Sequence, residues 1–481
     1  MEWLIADGYW LSRLVFQRAL ALVYLVAFLN AANQFRALAG ERGLLPVPRF
    51  LRRTSFRQAP SLFRLHYSDR TFGVVAWTGV AVSAALLAGL GDGLPLPAHM
   101  AAWALLWALY LSIVNVGQIW YGFGWESLLC EVGFLAIFLG PADMAPPLLI
   151  LLALRWVLFR VEFGAGMIKM RGDQCWRDLT CLYYHHETQP LPNPLSRRFH
   201  RLPQRLHRVE VGANHATQLL VPFLLFTPQP VAGVAATLVI VTQLWLVTSG
   251  NFAWLNVLTI VIAIPALGDG LLGAVLPVSS PAALADPPAW HTGAVLAVAG
   301  VVAVLSYWPV RNLLSRRQLM NYSFTPLHLV NSYGAFGSVT RVRYEVVIEG
   351  TDDPDAGAAT GWREYEFKAK PGDVRRRPPQ VAPYHLRLDW LMWFAALSPA
   401  YARGWFEALL DRLLVNDRAT LKLLRHNPFP DAPPQAVRAT LYRYRFTTRD
   451  ERRATGAWWH RTRVGEYRPP VTRPRPRPAA Q

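Results

Sequence analysis

The chain has 481 residues, 53% of them hydrophobic, and a net charge of +18, with a mean hydropathy of +0.19. Such apolarity at this length excludes an ordinary soluble helical protein, whose helices each need a water-compatible face, and three cysteines exclude a disulfide-built scaffold. The charge does not signal nucleic-acid binding, because it lies in the connections between apolar stretches, where arginine sets topology and meets anionic head groups.

The first apolar stretch, residues 14–29, is long, follows acidic residues and lacks a cleavage site, so it reads as a span and not as a cleaved signal. A span needs about 20 mostly apolar residues. That criterion places candidate spans near residues 13–31, 72–91, 98–117, 122–140, 146–168, 211–227, 229–249, 251–268 and 291–309. The sixth and seventh share the TPQP turn at residues 227–230, and a re-entrant pair there reduces nine spans to eight. The expected fold is thus an α-helical multi-pass membrane bundle over residues 1–310, embedded in the lipid bilayer, with large polar loops at about 36–70 and 169–210. The first loop carries Arg36, Arg42, Arg49, Arg52, Arg53, Arg57, Arg64 and Arg70 against Glu41 and Asp69. Nine spans put both loops and the C-terminal region on one side of the membrane, and the positive-inside rule makes that side cytoplasmic.

Beyond Pro309 the composition changes. Residues 341–349, 361–369 and 437–447 alternate as strands do, residues 389–397 form an apolar run too short to span, and residues 406–426 have helical spacing. Residues 311–465 are read as a small α+β domain with an antiparallel sheet, and 466–481 as a disordered arginine-proline tail. No internal repeat is visible, which leaves a transporter without its usual sign of paired broken helices.

Several residues can carry chemistry. Glu126 and Glu131 fall in the fourth span, and Arg155, Arg160 and Glu162 in the fifth. A charge at mid-membrane costs on the order of 3 kcal/mol, so these either form interhelical ion pairs or line a polar cavity. Glu126 and Glu131, five apart, point to different sides of their helix. Lys169 follows the small residues Gly164, Ala165 and Gly166, which admit a neighbouring helix or a flat ligand. It either snorkels to the head groups or, desolvated, acts as a catalytic base. Cys175 and Cys181 are a possible redox pair on an oxidising side, or two unrelated thiols; Cys130 reads as a packing residue. His185, His186 and Glu187 are adjacent, and adjacent loop residues rarely complete a metal site, so no metal and no cofactor is expected. There is no GxSxG nucleophile elbow.

The stretch Gly164-Ala-Gly-Met-Ile-Lys169-Met-Arg171-Gly172-Asp173-Gln-Cys175-Trp176-Arg177-Asp178-Leu-Thr180-Cys181, with His185-His-Glu187-Thr188-Gln189-Pro190-Leu-Pro192-Asn193-Pro194 after it, resembles the signature block of the lipase maturation factor family. Further similar blocks are Tyr121-Gly-Phe-Gly-Trp-Glu126, Asn214-His215, Asn251-Phe-Ala-Trp-Leu-Asn256, Asn331-Ser-Tyr-Gly-Ala-Phe-Gly337, Arg343-Tyr-Glu345, Asp389-Trp-Leu-Met-Trp393 and Asn427-Pro-Phe-Pro430. The resemblance implies a membrane-embedded folding or assembly factor for secreted lipases, more a chaperone than an enzyme. Arg171, Asp173, Trp176, Arg177, Asp178, His185, Glu187, Gln189 and Asn193 would then be its client-binding or structural signature, with exposed aromatics in the loop and the β domain holding the client. It also implies that the loops face the endoplasmic reticulum lumen, or the periplasm if the protein sits in a bacterial cytoplasmic membrane, against the charge rule. Ala165-Gly-Met-Ile-Lys169 is similar, over about a dozen residues, to the vitamin K-dependent carboxylase type of transmembrane domain. That implies the alternative of a membrane enzyme or redox protein acting on a lipid or quinone-like ligand with Lys169 as base.

Overall fold

The computed structural model describes residues 4–278, 280–281, 283–353 and 361–472. Its N-terminal part is built of helices α1 (Trp10–Ala39), α2 (Asp69–Ala88), α3 (Leu96–Val116), α4 (Gly124–Ala136), α5 (Leu148–Arg171), α6 (Leu182–Thr188), α7 (Gln204–Leu219), α8 (Val231–Ser249), α9 (Leu255–Ala263) and α10 (Ala289–Leu305), which Tyr307–Leu314 continues. Boundaries follow local chemistry. Ser68 Oγ caps α2 by accepting from Thr71 N–H, and Gly89, at φ 96°, closes its other end in the left-handed region that a side chain disfavours. Pro97 in the first turn of α3 and Pro288 at the N-cap of α10 use positions where no amide donor is needed.

Five of these segments are long and apolar enough to cross a membrane: Asp7–Ala39, Asp69–Ala88, Leu96–Val116, Val231–Ser249 and Ala289–Leu314. The other stretches read as spans take different forms. The 122–140 stretch is the 13-residue α4. The 146–168 stretch is α5, a full 24 residues but carrying Arg155, Arg160, Glu162, Lys169 and Arg171. The 211–227 stretch is the end of α7 followed by the short helix Val221–Leu224, and 251–268 is α9 with a 3-10 turn, Ile264–Ala266.

The C-terminal part contains an antiparallel sheet of order β2-β1-β5-β6, formed by β1 (Arg343–Thr351), β2 (Arg363–Glu364), β5 (Ala436–Phe446) and β6 (Trp459–Thr472). A second pair joins β3 (Glu366–Phe367) to β4 (Leu424–His426). Val346 faces Leu441 at the centre of the β1–β5 ladder. Helices α11 (Arg387–Leu397) and α12 (Phe406–Leu414) accompany the sheet. Two expectations change here. The helix read over 406–426 stops at Leu414 and is followed by Arg418–Leu421 and β4. The strand β6 runs to Thr472 and pairs with β5, so the segment read as a tail from residue 466 begins as a strand; residues 473–481 lie outside the described residues. Alternation missed β6 because most of its side chains are exposed, leaving no apolar face to read.

Most buried apolar residues form one continuous core from α1 through Trp120 to Trp405 and Val437, with smaller clusters around Trp176 and around Tyr444, Phe446 and Trp459. The 36–70 loop and the 169–210 loop each approach the region beyond residue 310, the second through Arg343. Asn115 Nδ2 donates to the carbonyls of Pro60 and Pro326, both at 2.9 Å, and Asn30 and Gln34 donate to the His385 carbonyl.

Candidate functional site

The signature segment is a clamp between helices and sheet. It leaves α5 at Gly172, where a Cβ would lie 2.1 Å from the Gly337 carbonyl oxygen; at Gly164 a Cβ would meet the Tyr333 carbonyl oxygen at 2.2 Å. The small residues thus admit a passing backbone, the 333–337 segment. Asp173 caps the short helix Gln174–Arg177 by accepting from Cys175 N–H and pairs with Arg341 at 2.8 Å, which holds its carboxyl down at about 2. Trp176 is buried and donates its indole N–H to the Phe336 carbonyl at 2.7 Å. Cys175 and Cys181 are joined as a disulfide, their Cα atoms 4.8 Å apart.

The second half of the segment grips the sheet. Arg343, fully buried at the start of β1, donates to the carbonyls of Glu187 and Pro190, each at 3.0 Å, and to that of Gln189. Its charge is matched by Glu345, which also faces Lys370 at 3.0 Å. Glu187 accepts from Phe446 N–H at 2.7 Å, and Arg197 donates to the carbonyls of Thr447 and Thr448. Buried Gln189 and Asn193 tie the segment to the end of α8 through the carbonyls of Ser249 and Thr248. Buried charged donors on several carbonyls are among the stronger protein hydrogen bonds. His185 is buried between Phe252 and Phe336, and desolvation drags its pKa to about 4, keeping the ring neutral.

The charges expected within spans divide between the two expected roles. Arg160 on α5 pairs with Glu131 on α4. The same carboxylate accepts from the Asn331 amide at 2.9 Å and the Tyr333 hydroxyl at 2.6 Å. Glu126 turns the other way and pairs with Arg387 of α11 at 2.7 Å. Arg155 has no carboxylate partner among the described residues and donates to the carbonyls of Pro265 and Leu225, both at 3.2 Å. Glu162 takes the cavity role: it accepts from Gln243 at 2.7 Å and lines a cavity of about 1070 Å³ with Lys169, Trp176, His185, Gln218 and Phe336.

Lys169, 6% exposed, does not snorkel. Its Nζ donates to Asn214 at 2.8 Å and Gln218 at 2.9 Å and sits 4.8 Å from the centre of the Trp176 ring. Three signature residues lie outward instead: Arg171 donates to Gln318, and Arg177 and Asp178 are exposed, with Arg177 donating to the Met170 carbonyl. The exposed loop aromatics expected to hold a client are not there: Trp176 is buried, and Tyr183 and Tyr184 are half-buried.

Sequence reasoning did not assign roles to Arg343, Arg387, Asn331 or Gln243. Arg343 and Glu345 alternate on one strand and so share a face, a signal available in the sequence. Arg387 meets Glu126 across 261 residues, and no local pattern announces that.

A protein-family model described as the lipase maturation factor transmembrane domain matches residues 11–274, and a second, the lipase maturation factor C-terminal domain, matches residues 329–469. The chain belongs to the lipase maturation factor family. It is 44% identical to lipase maturation factor 1 of Bos taurus, with 97% of this chain and 90% of the relative covered. Against lipase maturation factor 1 of Homo sapiens it is 43% identical, covering 96% and 88%. Against lipase maturation factor 2 of Homo sapiens it is 30% identical, covering 96% and 83%. No solved structure matches. The family resemblance of the signature block therefore extends along both parts of the chain.

Proposed function

We propose that this integral membrane protein is a maturation factor that helps secreted lipases fold and assemble into their active form. The observation that carries the reading is the end-to-end relation to lipase maturation factor 1, helical part and sheet domain alike. The client-facing surface is the outward part of the signature, Arg177 and Asp178, presented on a rigid clamp. Disrupting the gene and measuring secreted lipase activity per unit of secreted lipase protein tests this. A fall in specific activity is expected, and an unchanged value rejects the reading.

The membrane arrangement proposed is eight or nine crossings, with α4, α5, α9 and the 211–227 segment joining the five long helices as short or charge-bearing spans. The loops and the C-terminal domain face an oxidising compartment, the endoplasmic reticulum lumen or a bacterial periplasm. The Cys175–Cys181 disulfide supports that side. The opposing arginine count is weakened because arginines such as Arg64 and Arg197 are engaged with backbone carbonyls and are kept for structure as well as topology. Labelling cysteines introduced at Arg198 and Asp450 in sealed membranes decides it; labelling from the cytoplasmic side excludes contact with exported clients.

A second reading rests on the cavity. Lys169, solvated by amides and not by a carboxylate, acts as a base toward a lipid or quinone-like ligand. Wild-type maturation activity in both Lys169→Met and Lys169→Arg removes it.

A further inference from the structure

One cluster belongs neither to the clamp nor to the amide shell of Lys169. His186 on α6 and His207 on α7 are each 1% exposed, and none of their four ring nitrogens has a hydrogen-bond partner among the described residues. Glu210 lies one turn beyond His207, so the two share a helix face; its Oε2 is 3.7 Å from His207 Nδ1 and accepts no hydrogen bond from the described residues. The two imidazole rings are 5.7 Å apart, and one ligand atom from each of the three residues lies within 4.8 Å of the others.

Burying a polar group without a partner costs about 1–3 kcal/mol. Three such groups converging on one point, with a carboxylate among them, make an arrangement that one dication would satisfy. We propose that His186, His207 and Glu210 bind a divalent cation of the zinc class. Two imidazole nitrogens and one carboxylate oxygen suit zinc, whose tetrahedral bonds of about 2.0–2.1 Å put ligand atoms about 3.3 Å apart. The His207–Glu210 pair is already near that spacing, and His186 closes the remainder by a side-chain adjustment. The ion ties α6, in the middle of the clamp, to the first turns of α7. Three protein ligands leave a fourth position open, and because His186 and Glu210 both line the large cavity, a small donor reaches the ion from that cavity. Arg205 and Arg208, on the same helix, are exposed and do not enter the cluster.

The test uses the full chain, without a histidine tag, purified in detergent. After loading with zinc and gel filtration, elemental analysis reads retained metal; loading with cobalt(II) reads geometry from its visible absorption. One equivalent of zinc is expected, together with an intense tetrahedral cobalt band that zinc displaces. His207→Gln and Glu210→Gln weaken binding by more than about tenfold, whereas His426→Gln, at an exposed histidine, does not. Retention that is equal in wild type and both site variants means an adventitious ion only and overturns the proposal. Absence of the cobalt band from the wild type overturns it as well, whatever the folding of the variants.

Discussion

Two buried cations on α5 face opposite circumstances. Arg160 meets a carboxylate, and that carboxylate is completed by Asn331 and Tyr333. Lys169, further along the same helix, meets two amides and a tryptophan face beside a cavity of about 1070 Å³. The first is a closed network, where each group exists to satisfy another. The second holds a charge against solvation by neutral dipoles and leaves space next to it. A protein that needed only to be held together would have no reason to keep the second arrangement, since Glu162, the carboxylate that acts on Lys169, forms no direct ion pair with it among the described residues, and a buried cation so loosely compensated contributes little to stability.

That contrast is open to direct attack. Glu131→Gln leaves Arg160 buried without its counter-charge and should cost about 3–5 kcal/mol, read as lost thermal stability in detergent; a small loss means the network is not what holds α4 to α5. Arg343→Met removes the grip on three carbonyls of the signature segment and should cost about 2–3 kcal/mol. Its signature is faster proteolysis within residues 169–210, with the helices left intact. Lys169→Met should stay within about 1 kcal/mol of wild type while altering maturation activity. Lost stability with normal activity would reduce Lys169 to a structural residue.

The clamp also predicts a pH response. His185 is held neutral with a pKa near 4, below its ordinary value. Its contribution is therefore complete above about pH 6.5 and is lost as pH falls toward 4, when the unfolded chain gains the proton first. Asp173, held near 2 by Arg341, loses its contribution only below about pH 3.8. Thermal melts should show a smaller first loss in His185→Phe than in wild type, the remainder coming from His200, His328 and His385, which desolvation also holds near 4. The smallest effect is reserved for the outward residues: Arg177→Ala and Asp178→Ala should change stability by no more than about 0.5 kcal/mol and, if clients dock there, lower lipase specific activity at constant secretion.

Much of this was legible in order along the chain. Charge-free windows located the apolar helices because lipid demands uninterrupted apolar length, and alternation located β1 and β5 because each buries one face. The signature block could be recognised as a unit. What it does could not: Trp176, Gln189 and Asn193 look like surface residues of a polar loop, yet they are buried, Trp176 against the 333–337 segment and Gln189 and Asn193 against the end of α8. The strand β6 escaped because its side chains face solvent.

Sequence alone therefore determined that the protein is a membrane protein of this family with a sheet domain after its helices, since composition, periodicity and motif are local properties. Tertiary structure alone decided which charge meets which. Glu131 chose Arg160 and Glu126 chose Arg387. His186 found His207 and Glu210, not its own neighbours His185 and Glu187. Such pairings depend on distances between segments far apart in the chain, and a buried charge takes whichever partner packing brings within a few ångströms, because in a low dielectric no other solvent is available to it.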